Sequence, residues 1–353
     1  MGIRMEILLG FVLFSWFVSS ILFIPYIKLL YRWKFQRANQ KTRDAFNNLT
    51  PIFDKFHRKK AGTPVGGGVL IILVTTVLFP IVLFLLRYFW YPITSVYPLF
   101  SEIKILLFTF LSFGVLGLID DLKKTFAWIG SEFFGLRLRH KLLIEIVLAT
   151  IISLWLVYDL RIDIFHIPFF GVIRMGLWFV PFAVLVIIAF ANAYNITDGL
   201  DGLSTGVLMI ALTAFWIISA SILDTPLSVF IAVWLGSIIA YLYFNVFPAR
   251  ILLGDVGALS FGATLAVVGL ILGKAPVLLV IGGVYVLEVT SSLVQLLSKK
   301  FFHKKIMAAA PLHLWLQNKG WPEPKIVMRF WIISIVLAIF GLWLALLTKT
   351  PIQ

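Results

Sequence analysis

Apolar residues in this chain come in long, nearly unbroken stretches instead of in alternation or at three-and-four spacing. A helix needs about 20 apolar residues to span the hydrocarbon core of a bilayer. About ten stretches approach that length: 7–30, 67–89, 103–120, 142–158, 177–197, 203–222, 228–247, 256–273, 276–297 and 330–348. A helix that is apolar all round belongs in a membrane or a deep core, so the pattern predicts an all-α integral membrane protein with about ten transmembrane helices. The eighth stretch is rich in glycine and the fifth ends in polar residues. No repeat or low-complexity tail is evident, and 1–353 reads as a single polytopic domain. The first stretch follows Arg4 as a signal peptide would. It is too long for a signal core and no small-residue cleavage site follows, which predicts a retained helix.

Composition agrees with that pattern: 61% of residues are hydrophobic and 13% charged, with a mean hydropathy of +1.02. The net charge of +14 would suggest nucleic acid in a soluble chain. Here the basic residues lie between apolar stretches, which predicts a lipid bilayer with anionic headgroups as the partner, and no nucleic acid. The absence of cysteine excludes disulfides, thiolate zinc sites and cysteine nucleophiles.

The basic residues also set an orientation. If the N-terminus is outside, the gaps after the first, third, fifth, seventh and ninth stretches are cytoplasmic. Those gaps hold 23 of the thirty Lys and Arg residues, ten of them between Lys28 and Lys60. The outside gaps hold Arg4, Arg87, Lys104, Arg161, Arg174, Lys274 and Lys349. The bias predicts both termini outside, and it puts the long loops 31–66 and 298–329 in the cytoplasm.

The acidic residues follow the same division. Asp120 and Asp121 end the third stretch, Asn195, Asp198 and Asp201 end the fifth, and Asn245 and Asp255 follow the seventh. All are therefore expected at one cytoplasmic face. Carboxylates near a membrane cost roughly 2.5–3.5 kcal/mol each at a helix centre and less near the interface. A chain that retains five of them on one side uses them. Asn195, Asp198 and Asp201 repeat at i+3 and would share a helix face, where like charges repel unless a cation intervenes. Magnesium suits such a set, since it takes one or two carboxylates plus substrate phosphates. Lys60, ahead of Gly62 and Gly66–Gly68, and Lys141, at the start of the fourth stretch, are phosphate-binding candidates. Taken singly, each motif has a plainer reading: a solvated helix end, a turn, a flexible entry or a topology signal.

Taken in order, these motifs resemble those of the phospho-N-acetylmuramoyl-pentapeptide transferases, within the polyprenyl-phosphate N-acetylhexosamine-1-phosphate transferase superfamily. They are Lys60-Ala-Gly-Thr-Pro, Asp120-Asp121-x-x-Lys124, Asn195-x-x-Asp198-Gly-x-Asp201-Gly-Leu, Asn245 ten residues before Asp255, and Pro311-Leu-His313 before Lys319-Gly-Trp-Pro-Glu-Pro. The resemblance covers nearly the whole chain. It implies a magnesium-dependent enzyme of the bacterial inner membrane, active in peptidoglycan synthesis. Such an enzyme moves phospho-MurNAc-pentapeptide from UDP to undecaprenyl phosphate, giving lipid I and UMP. It further implies Asp120, Asp121, Asp255 and His313 as catalytic groups, Asp255 also as the magnesium ligand, and a homodimer. Lys60, Lys124, Lys141, Asn195, Asp198, Asp201, Asn245 and Gln295 would bind substrate. Direct transfer and an aspartyl-phosphate intermediate both remain open.

Three departures from the family pattern stand out. His313-Leu314-Trp315 replaces three histidines, Leu252 replaces an aromatic residue three before the metal aspartate, and Val65-Gly66 replaces Thr-Met. They bear on nucleotide contacts more than on reaction type. The nearest rival is a sister enzyme using UDP-N-acetylglucosamine. A cation-coupled transporter is more distant, since transporters place their sites near the midplane and often have repeated halves.

Overall fold

The computed structural model describes residues 5–36, 52, 54, 56, 58–126, 135–167 and 169–347. Both chain ends, Arg4, Arg37, Lys41, Arg43, Lys55 and Lys349 lie outside the described residues. Twelve α-helices are described: α1 Met5–Arg32, α2 Gly67–Tyr88, α3 Leu99–Phe126, α4 Leu138–Tyr158, α5 Phe179–Thr197, α6 Leu203–Ser221, α7 Thr225–Asn245, α8 Asp255–Ile271, α9 Ala275–Ile281, α10 Gly283–Phe302, α11 Leu312–Asn318 and α12 Glu323–Leu347. Every apolar stretch is helical. By length and composition eight helices can cross a membrane, or nine if α9 and α10 form one span.

Two features depart from ten straight helices. The ninth stretch is broken, because α9 and α10 meet at 82°. The break falls at Gly282-Gly283, and paired glycines are a recognised cause of sharp kinks. Packing uses both residues: a Cβ on Gly282 would lie 2.6 Å from the Phe190 ring, and one on Gly283 would lie 2.8 Å from Leu337. The all-α expectation also misses an antiparallel hairpin, β1 Ile164–Ile167 with β2 Gly171–Arg174. Its four-residue strands are too short to register against long apolar stretches.

The glycine-rich eighth stretch becomes the centre of the bundle. All of α8 from Val256 to Ile271 is buried, with α2, α3 and α5 packed around it. A helix surrounded by helices has no lipid to match and needs no 20-residue length. Its glycines allow backbones to approach, as small residues do between membrane helices. A Cβ on Gly262 would sit 2.3 Å from the Phe190 carbonyl. Further along, Phe261 stacks on Phe110 and meets Trp234 edge-on, which ties α3, α7 and α8 together. The α1–α7 contact is polar at its middle, where Ser15 donates to the Val233 carbonyl at 2.6 Å.

Asp224, just ahead of α7, anchors the end of the bundle opposite the clustered aspartates. It caps α7 by accepting from the Leu227 N–H at 3.2 Å, and Glu102 lies against it. The strap 94–97 closes over this point: the Thr225 N–H donates to the Thr94 carbonyl at 2.8 Å, and the Tyr97 hydroxyl donates to the Ile271 carbonyl at 2.8 Å. Burial pushes the Asp224 carboxyl from 3.8 up to about 6, against the pull of the Leu227 N–H. A carboxyl raised on folding holds its proton more tightly in the folded state. Its contribution to stability is present below its unfolded value and is lost as pH rises through about 6. The stability read from the thermal midpoint in detergent should therefore fall between about pH 5 and about pH 7.5, by roughly 1–1.5 kcal/mol. Asp224→Asn, which still caps a helix, should flatten that slope. An unchanged slope in the variant would rule out Asp224 as its source.

Candidate active site

The clustered acidic residues meet where α3 ends, α4 begins and α8 begins. The N-cap of α8, Gly254, holds φ +83, and a Cβ there would strike the Asp121 carboxylate at 2.5 Å. Gly117 lets α3 approach equally closely: its Cβ would lie 2.1 Å from the Asp255 carbonyl. This contact brings Asp120 and Asp121 level with Asp255.

Within the cluster each carboxylate has a distinct set of partners. Asp121 is buried and accepts from the Val256 N–H at 3.0 Å, satisfying one of the open amides at the α8 N-terminus. Asp120 accepts from the Leu136 N–H at 2.7 Å through Oδ1. Its Oδ2 lies 3.1 Å from Lys124 Nζ and 3.2 Å from Lys141 Nζ. The Asp255 Oδ2 lies 2.7 Å from Lys124 and 3.0 Å from Lys141. Two ammonium groups thus bridge two carboxylates. Asp255 also occupies the first turn of α8, where the helix dipole favours negative charge.

The oxygen donors of Asp120 and Asp255 fit a hard cation, since they already converge on positive charge. Among the described residues no three His, Cys, Asp or Glu side chains form a metal cage. Magnesium does not require one, because waters and phosphates usually complete its shell.

A second cluster surrounds the turn between α5 and α6. Lys60 Nζ donates to Asp201 Oδ1 at 2.7 Å, to Glu323 Oε1 at 2.8 Å and to the Gly199 carbonyl at 3.1 Å. The other Asp201 oxygen accepts from the Ala249 N–H at 2.9 Å, so both are engaged within the protein. Asp198 accepts from the Ser204 hydroxyl. Asn195, three residues before it, is half-buried. His313 reaches the same turn: a Cβ on Gly199 would meet its Nε2 at 2.3 Å. The two clusters are joined by backbone, since Pro64, Gly66 and Gly67 pair with Leu252 and Gly68 with Leu253.

Two sequence-predicted residues bond to the backbone of neighbouring segments. Asn245 accepts from the Gly202 N–H at 3.0 Å and donates to the Ile251 carbonyl at 2.9 Å. Gln295 accepts from the Ile306 and Met307 N–H groups and donates to the Met307 carbonyl at 2.8 Å. Two acidic residues given no role from sequence belong here instead, Glu323 on Lys60 and Glu288 on His313. Glu288 had a visible signal, as a lone acid inside an apolar stretch.

Residues 103–273 match the family profile "Glycosyl transferase family 4". The chain is 35% identical over 326 residues to the phospho-N-acetylmuramoyl-pentapeptide-transferase of Clostridium perfringens (strain 13 / Type A), covering 92% of this chain and 94% of that protein. It is 31% identical to the enzyme of the same name from Clostridium novyi (strain NT), over 96% of each chain. With that from Acetivibrio thermocellus it shares 35% over 292 residues, covering 81% of this chain and 83% of the relative.

The α3–α8 contact is open to a direct test. Gly117→Ala should lower stability by about 1–3 kcal/mol, as overpacking does, read as a lower thermal midpoint in detergent. A variant that melts with the parent would show that this approach does not constrain the carboxylates. The long alignments, with the profile match spanning both carboxylate clusters, show that the chain belongs to the phospho-N-acetylmuramoyl-pentapeptide transferase family.

Proposed function

We propose that this chain transfers phospho-MurNAc-pentapeptide from UDP-MurNAc-pentapeptide to undecaprenyl phosphate, releasing UMP and forming lipid I. The observation that carries this reading is the meeting of Asp120, Asp121 and Asp255 with Lys124 and Lys141 at one end of the bundle. Two anionic substrates must approach there, and their repulsion is the main obstacle. An oxygen of the lipid phosphate bonds to the sugar-linked phosphorus, the diphosphate bridge breaks, and UMP leaves with the electron pair.

Asp255 would hold magnesium, with Asp120 nearest to share it. The ion would supply charge neutralisation at the diphosphate. Lys124 and Lys141, which bridge the two aspartates, are placed to turn to phosphate oxygens when substrate arrives, stabilising charge on the leaving group. Asp121 keeps the α8 N-terminus in place beside them. Asn195, Asp198 and Lys60 would face the nucleotide, whereas Asp201, Asn245 and Gln295 would shape the walls. Direct attack is the simpler route, because a phosphate oxygen is already a nucleophile.

The purified chain should release UMP from UDP-MurNAc-pentapeptide only with undecaprenyl phosphate and magnesium present. Asp255→Asn should lower turnover about a hundredfold or more. Preference for UDP-N-acetylglucosamine would reassign the donor, and turnover undiminished by a chelator would remove the metal.

The acidic end would face the cytoplasm of a bacterial inner membrane, with both termini outside, as the Lys and Arg bias indicates. Because the native chain has no cysteine, single cysteines report sidedness cleanly. Introduced at 123 and 299, they should be shielded from a membrane-impermeant thiol reagent in intact spheroplasts, while one at 174 is labelled. The reverse pattern would invert the topology.

A further inference from the structure

On α10 the residues Glu288, Ser291, Gln295 and Ser298 repeat at three and four, one face of a helix, in a largely apolar stretch. All four bond to the segment 304–313. Ser298 donates to the Lys304 carbonyl at 2.8 Å, Gln295 binds Ile306 and Met307, and Ser291 accepts from the Leu312 N–H at 3.0 Å. Glu288 closes the series. Its Oε1 accepts from the His313 N–H at 3.2 Å, and its Oε2 lies 3.0 Å from His313 Nδ1.

The Glu288 contact differs in kind from the other three. They hold backbone alone, whereas Glu288 also holds a ring. Glu288 is fully buried and His313 nearly so, and the imidazole is its only ionic partner among the described residues. A carboxylate can only accept, so Nδ1 carries the proton in this pair. In the neutral ring Nε2 is then the lone-pair nitrogen, and it points at the Gly199 backbone between Asp198 and Asp201.

We infer that Glu288 is a positioning residue for the transfer, fixing the tautomer and the ring plane of His313 so that Nε2 faces the Asp198–Gly199 turn. The inference rests on the transferase reading above. A carboxylate that orients a histidine through its far nitrogen commonly governs what the near nitrogen can do. In Glu288→Gln the amide would keep one acceptor for the backbone N–H and offer a donor to Nδ1, reversing the tautomer.

The test is steady-state UMP release by the full-length chain in detergent, with polyprenyl phosphate and magnesium. Glu288→Gln should lower kcat about ten- to a hundredfold while the donor KM holds. His313→Ala should fall at least as far, and the double variant no further than His313→Ala alone, the signature of two residues acting through one contact. Ser291→Ala, which removes a strap without touching the ring, should retain turnover. If Glu288→Gln does not fold, Glu288→Asp, which withdraws the charge from the ring, takes its place in the cycle. Wild-type kcat in the Glu288 variant, losses that multiply in the double variant, or an equal loss in Ser291→Ala would each overturn the inference. If the wild-type chain uses UDP-N-acetylglucosamine, the donor assignment fails but the cycle is read with that donor. If it uses neither nucleotide, both readings fall.

Discussion

Holding like charges together in a poorly screened place is the constraint on which the rest of this structure depends. Asp120, Asp121 and Asp255 lie within one helix end of each other, two of them buried. In such surroundings the repulsion between carboxylates is several times that in water. The fold offsets it in two ways. Lys124 and Lys141 each contact both Asp120 and Asp255, and Asp121 faces the amide end of α8. Either partner removed alone would leave an uncompensated buried charge, which costs more than the pair contributes.

Much of the helix packing follows from bringing those groups to one level. α8 must reach the carboxylates from the middle of the bundle, so it is enclosed, short and lined with glycine. Gly117 on α3, Gly68 on α2 and Gly262 on α8 each leave no room for a side chain. The 64–68 segment is laced to 252–253 by backbone bonds, which joins the lysine-bearing entry to α2 with the entry to α8. Leu252 takes part through its N–H and carbonyl. That role is indifferent to its side chain, so substitution there leaves the architecture intact.

The helices and the grouping of aspartates were legible in the sequence because both depend on local pattern: length of apolar run, and position of an acid at its end. The bend at Gly282, the hairpin and the enclosure of α8 were not, since each is decided by what packs alongside. Side-chain roles were legible only by residue type. Asn245 and Gln295 carry the polarity expected of substrate ligands, and in the fold each also bonds backbone, to Gly202 and Ile251 and to Ile306 and Met307. Glu288 went unread for the opposite reason. A single acid in an apolar run looks like an exception until the stripe 288, 291, 295, 298 is laid on a helix, and only the fold shows that one loop answers all four.

Saturated and exchangeable polar groups divide the acidic end into a frame and a working part. Asp121, Asp201, Asn245 and Gln295 bond to backbone, and a ligand that took those bonds would have to undo the fold. The lysine bridges between Asp120 and Asp255 involve side chains alone, so they can be traded without moving a helix. Three aspartates and two lysines leave one net negative charge. A divalent cation added there would reverse it to one net positive, which is what two anionic substrates would need, and would free the ammonium groups for phosphate. On the proposed reading the lysine bridges hold the carboxylates together until cation and diphosphate take their place, so the same contacts that stabilise the fold also poise it for substrate.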